Sequence, residues 1–177
     1  MTFFQKIKAL FADKTLRNRI LFVLGALVVF RVLAVVPIPG VDATALAQFL
    51  SGNQFFGLLN IFSGGGLSTL SIVMLGVGPY ITASIIMQLS TIIFPRMKEL
   101  YQEEGEAGRK KFSQYSRLLT VPLGLIQAFG FTALLKSQGV LGAVAGFESL
   151  INIIVITASS ILLMWLGELI TEFGIGN

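Results

Sequence analysis

The sequence predicts an all-α protein of the polytopic membrane class. Three observations lead there. Apolar residues make up 54% of the 177 and charged residues only 12%, with a mean hydropathy of +0.83, a composition no soluble core requires. Four apolar segments, at about 20–36, 62–94, 118–135 and 150–170, each have roughly the length of a membrane crossing. The basic residues gather in two clusters beside these segments rather than along a groove, so the net charge of +4 reads as membrane topology, not nucleic-acid binding.

The elements follow in chain order. In residues 1–19, Phe3, Phe4, Ile7, Leu10 and Phe11 recur at helical spacing with Lys6, Lys8 and Lys14 between them. This pattern predicts an amphipathic helix lying in the cytoplasmic membrane interface. The first span ends in PIPG, whose two prolines and glycine stop a helix and begin an external connection. It lacks the small-residue cleavage site of a signal peptide. Arg31 is the lone basic residue within a span, and its position six residues before Pro37 lets it snorkel to the outer interface or pair with a neighbouring helix.

The second segment is apolar enough to enter a bilayer, yet Gly64, Gly65, Gly66, Gly76, Gly78 and Pro79 interrupt it. Glycine and proline cost roughly 1 and 3 kcal/mol in a helix interior, and hydrocarbon offers no water to backbone groups freed at a break. Such a break must be lined by protein or by a water-filled cavity. The uninterrupted run from Tyr80 to Phe94 is 15 residues, about 22 Å of helix against a hydrocarbon core of roughly 30 Å. A short helix between Asn60 and Leu75 is therefore expected to fill the remaining depth as a half-inserted element.

Beyond the break, residues 101–116 (YQEEGEAGRKKFSQYS) read as a cytoplasmic loop, acidic first and basic at the far end, with Gly105 and Gly108 tightening it. The basic tip Arg109, Lys110 and Lys111 suits acidic protein, anionic lipid or RNA phosphate, and the residues alone leave the choice open. In the last two spans Gln127, Asn152, Thr157, Ser159 and Ser160 suit interhelical hydrogen bonds. Glu168 and Glu172, four apart near Trp165, share one helix face at the inner boundary.

Counting Lys and Arg by connection orients the chain. Five precede the first span and six lie between the second and third, against none and one on the other side, which puts the N-terminus in the cytoplasm. With no His and no Cys, the sequence offers no Ser/His, Cys/His or HExxH arrangement, and it holds no Walker-type phosphate loop. Enzyme chemistry, metal and cofactor are not expected.

The stretches FRVLAVVPIPGVD, NIFSGGGLSTLSI, LGVGPYITASIIMQL, EGEAGRKKFSQYSR and MWLGELITEFGIGN, in this order and spacing, resemble the SecY family of channel subunits, in its bacterial form. The resemblance covers nearly the whole chain. It implies a ten-span, pseudo-symmetric channel of which residues 20–177 supply the first four spans, so that the chain reads as a fragment. It implies a plug at Asn60, Ile61, Phe62, Ser63, Gly64, Gly65, Gly66 and Leu67, a pore ring at Val77 and Ile81, and a lateral gate at Ser84, Ile85, Gln88 and Gln127. Val77 stands where family members often carry isoleucine, which keeps the ring apolar.

The resemblance also implies a function: translocation of unfolded secretory polypeptides across the bacterial plasma membrane, and lateral release of membrane-protein helices into it. Implied partners are small SecE-like and SecG-like subunits, a SecA motor ATPase or a ribosome, with its RNA, at the Arg109, Lys110 and Lys111 loop, the signal peptide, and anionic lipids. The rival from the residues alone is a secondary transporter with a midplane site at the broken helix, which would need intramembrane acids or unwound carbonyls.

Overall fold

The computed structural model describes residues 13–52, 57, 58, 60, 61, 65, 67–142 and 146–175. The amphipathic segment expected before the first span falls mostly outside them, as do Phe62, Ser63, Gly64 and Gly66 of the expected plug. The helices are α1 (Lys14–Val35), α2 (Ala43–Ser51), α3 (Gly78–Ile93), α4 (Pro95–Gln102), α5 (Gly105–Ser137) and α6 (Gly146–Phe173). Three of them, α1, α5 and α6, are long and apolar enough to cross a membrane, and α3 is a shorter apolar helix. The protein is a helical, polytopic membrane protein.

Helix α1 starts at Asp13, whose carboxylate accepts a hydrogen bond from the Thr15 amide, and stops at Val35 because Pro37 forces the residue before it to be extended. After the turn at Gly40 (φ 86°), Asp42 caps α2 by accepting from the Thr44 and Ala45 amides at 2.8 and 3.2 Å and from the Thr44 hydroxyl. These bonds to the charged form hold the Asp42 carboxyl below its usual range. Helix α2 is a departure from the simple external connection expected there.

The second segment also departs from expectation. In place of one short helix running to Leu75, residues 67–77 form a chain of turns, with amide-to-carbonyl bonds Leu70 to Leu67, Met74 to Ser71, Gly76 to Val73 and Gly78 to Leu75 of 2.8–3.2 Å. The reason lies in where its backbone groups go. The Leu70 carbonyl accepts from the Ile38 amide at 3.0 Å, and the Ile72 amide donates to the Val36 carbonyl at 2.9 Å, around an antiparallel bridge between Pro37 and Ser71. The Thr69 hydroxyl donates to the Ala34 carbonyl at 2.9 Å. The segment thus satisfies backbone groups at the end of α1 instead of its own helix. Leu70, fully buried, sits at φ 42°, a left-handed turn.

The expected loop at 101–116 is corrected as well. Only Glu103 and Glu104 separate α4 from α5, with Gly105 at φ 62° making the reversal. The rest is a helical hairpin. Its helices touch where a Cβ on Gly108 would lie 2.0 Å from the Leu100 carbonyl oxygen, and the Tyr101 ring meets Phe112 at a tilt of 51° with centroids 4.8 Å apart.

Helix α5 is the centre of the bundle, packed on α3, α4 and α6, while α1 packs on α6. Its buried residues Gly108, Phe112, Ser116, Thr120, Gly124, Ala128 and Thr132 recur every fourth position and are mostly small, which lets neighbouring backbones approach. One core cluster joins Ile38, Leu46, Leu67, Leu70, Met74, Leu135 and Ile156, and a second joins Ala34, Val73 and Leu163. Outward faces are apolar too, with Val28, Val32 and Val35 of α1 each more than 60% exposed, as a lipid-facing helix requires.

Candidate functional site

The break at Gly76, Val77, Gly78 and Pro79 opens into a cleft of about 610 Å³ between the turn segment, α3 and α5. Its shape follows from the local sequence. Gly76 takes φ 57°, Val77 ends the turns, and Pro79 in the first turn of α3 needs no helical donor. This sets Pro79 and Ala83 into the bundle and leaves Val77 and Ile81 facing outward, 38% and 51% exposed.

Val77, Ile81, Gln127 and Leu67 all line this cleft. Gln127 donates its side-chain amide to the Thr82 hydroxyl across the gap at 3.4 Å, and Thr82 in turn donates to the Gly78 carbonyl at 3.0 Å. Thr82 is a site residue that the sequence reading missed; its position one residue after Ile81, on the first turns of the short helix, is the signal that was available. Among the described lining residues none is charged. The walls are apolar, Phe131 among them, and the polar side chains present, Gln127 and Thr82, bond to each other.

Other expected site residues lie apart from the cleft. Ile85 and Gln88 are exposed and continue the face of α3 that carries Ile81, while Ser84 is half-buried; none of the three lines the cleft. Ile61, 74% exposed, borders a second, smaller apolar cleft of about 290 Å³ that also touches Val77. The Asn60 carbonyl accepts from the Gly65 amide at 2.8 Å, and its side-chain oxygen accepts from the Ser68 amide at 2.9 Å. Arg109, Lys110 and Lys111 sit on the first turns of α5, exposed, some 27 Å along the helix from Gln127 at about 1.5 Å per residue. Lys111 pairs with Glu104 at 3.4 Å.

A polar cleft of about 630 Å³ between α3, α5 and α6 is lined by Tyr80, Ser113, Arg117, Trp165, Glu168 and Glu172. Here Arg117 Nε meets Glu168 Oε1 at 2.6 Å. Glu168 and Glu172 do share a face, yet one of them is already neutralised from the neighbouring helix. The signal lay in Arg117 and Glu168 standing at the same boundary of successive spans. Near the other end of the bundle, Asn152, 1% exposed, donates to the Pro39 carbonyl at 3.3 Å.

Comparison with known proteins agrees with this architecture. The SecY family profile matches residues 71–177. The chain is 44% identical to the protein translocase subunit SecY of Streptomyces coelicolor, over 94% of this chain and 41% of that protein. It is 48% identical to the subunit of the same name in Buchnera aphidicola subsp. Acyrthosiphon kondoi, over 92% and 47%, and 46% identical to that of Synechocystis, over 92% and 36%. It therefore spans less than half the length of these curated relatives. With an interrupted apolar segment, a helical membrane bundle and this degree of identity in hand, the chain belongs to the SecY family.

Proposed function

We propose that this chain supplies the first four spans of a protein-conducting channel in the bacterial plasma membrane, with its N-terminus in the cytoplasm. The observation that carries the proposal is the pairing of Val77 and Ile81, half-exposed in one uncharged cleft at a break whose other side is buried. Aliphatic side chains at a constriction offer a passing polypeptide neither fixed charge nor hydrogen bond, while dewetting resists ions. Residues 60–67 act as the plug. Ser84, Ile85 and Gln88 with Gln127 form one wall of the exit to lipid. The tip of the α4–α5 hairpin, with Arg109, Lys110 and Lys111, is the docking surface for a motor ATPase or a ribosome, and small SecE-like and SecG-like membrane subunits complete the assembly. Anionic lipids meet the basic residues of the same end. The names of the relatives, all translocase subunits, support this reading. The transporter alternative would need intramembrane acids or unwound carbonyls converging on an ion or substrate; the described lining of the cleft contains no acid, and its polar side chains, Gln127 and Thr82, bond to each other.

The chain has no Cys, so a photoreactive probe can be attached at a single introduced thiol, Val77→Cys or Ile81→Cys, in the full chain. With a stalled, partly translocated polypeptide, adducts are expected at both positions. Adducts at external positions such as Ser51→Cys, with none at 77 or 81, would refute the constriction.

A further inference from the structure

From Tyr101 to Lys111 every residue is exposed except Gly108, which is buried. What buries it is backbone. A Cβ built on Gly108 would stand 2.0 Å from the carbonyl oxygen and 3.1 Å from the carbonyl carbon of Leu100, in the second half of α4, and 2.6 Å from the Glu104 Cβ in the reversal. A change of rotamer relieves none of these contacts, since a main-chain carbonyl and a Cβ are fixed by the path of the chain; only glycine permits so close an approach. Any side chain at 108 must therefore lift α4 and the reversal off α5. The other ties across the hairpin are the Tyr101–Phe112 ring contact and the Lys111–Glu104 pair, and an exposed pair holds little by itself.

We infer that Gly108 is a positioning residue: by letting α4 lie directly on α5 it holds the hairpin closed, so that Arg96 and Lys98 of α4 and Arg109 and Lys110 of α5 meet a protein partner as one preformed surface. All four are exposed, and none makes an ion pair among the described residues. A surface fixed before contact loses less freedom on binding than one that must order itself. This rests on the docking reading of the hairpin proposed above, and the charge of the hairpin favours one of the partners that reading allows. Over residues 95–111, five basic side chains are accompanied by four acidic ones, Glu99, Glu103, Glu104 and Glu106, and Lys111 already faces Glu104. A phosphate backbone is held through an excess of positive charge. A nearly balanced surface suits the mixed charges of a protein. The occupant is the motor ATPase rather than ribosomal RNA.

The test uses the full chain, assembled with its partner subunits in liposomes, with the motor ATPase titrated and translocation followed. Gly108→Ala is expected to raise the half-saturating motor concentration severalfold and to leave the maximal rate unchanged, whereas general damage would lower the maximum. The paired change Arg109→Glu and Lys110→Glu, which strikes the docking surface directly, is the reference. Gly25→Ala in α1, whose Cβ would meet nothing within 4 Å among the described residues, should match the unmodified chain. Spin labels at Glu99→Cys and Gln114→Cys, in a chain otherwise free of Cys, should move apart when Gly108→Ala is added. An unchanged half-saturation or an unchanged separation, with the reference impaired, overturns the inference and leaves the docking reading standing; an unimpaired reference overturns both. A lowered maximum at unchanged half-saturation also overturns it. Ribosome binding that weakens with Gly108→Ala while motor binding does not would overturn the choice of a protein partner. If Gly108→Ala does not accumulate, Phe112→Ala, at a position 7% exposed, loosens the hairpin from the α5 side without altering its surface, and an unchanged half-saturation there overturns the inference.

Discussion

The two ends of the bundle are fastened by different chemistry. At the end that holds α2, backbone meets backbone: Ile38 to Leu70, Ile72 to Val36, Asp42 to Val140 and Gly142 to Gly40, all between 2.9 and 3.1 Å. At the other end side chains do the work: Arg117 pairs with Glu168, Lys111 with Glu104, and Arg19 reaches the Gly174 carbonyl at 3.5 Å beside the Phe22–Phe173 contact. Backbone bonds of the first kind do not depend on charge. The Arg117–Glu168 and Lys111–Glu104 contacts of the second kind are partly exposed ion pairs, weak singly and screened by salt. One end is therefore fixed by the path of the chain, and the other is adjustable by its surroundings.

The largest effect should come from breaking a buried side-chain tie at the backbone-held end. Asn152→Leu removes the donor to the Pro39 carbonyl and is expected to lower stability by about 2 kcal/mol, measured as thermal unfolding in detergent and equal at low and high salt. A loss that shrinks with salt would erase the distinction between the ends. Next, Arg117→Gln should cost less than about 1 kcal/mol, because the Arg117 side chain is 44% exposed, and the cost should vanish in high salt. Adding Glu168→Gln should then cost nothing further; an additive loss would mean the pair is not the tie.

The smallest effect sharpens the comparison, since it concerns Asp42, a shifted acid at the backbone-held end. The Asp42 carboxyl is lowered by its bonds to the Thr44 hydroxyl and to the Ala45 and Thr44 amides. A depressed carboxyl stabilises the folded state above its unfolded value, and that contribution is lost as pH falls through the folded one, here below about pH 4. Amide exchange in α2 should quicken over that window, and Asp42→Asn, an uncharged cap, should flatten the response. An identical acid response in Asp42→Asn would assign it elsewhere.

Hydropathy made three membrane-length helices legible, because a crossing must be apolar over its whole length. It gave α5 and α6 too short, since their charged ends continue as helix into water: the span expected at 118–135 belongs to a helix that begins at Gly105. The hairpin was hidden because its polar residues resemble a solvated loop. What joins its helices, such as Tyr101 against Phe112, appears only once they are folded together. Helix α2 was signalled by Asp42 followed by Thr44, a capping pattern passed over beside PIPG. The turns at 67–77 had no local signal at all, for what sets them is hydrogen bonding to Val36 and Ile38 some 35 residues away. At the site, the Gly–Pro break marked the place, while Val77 and Ile81 were singled out by the resemblance to the SecY family. The partners of Gln127 and Glu168 required knowing which helices touch.

The length of α5 has a mechanical consequence. Its 33 residues make a rod of about 50 Å, while a bilayer core is about 30 Å thick, so the tip bearing Arg109 and Lys110 stands clear of the hydrocarbon.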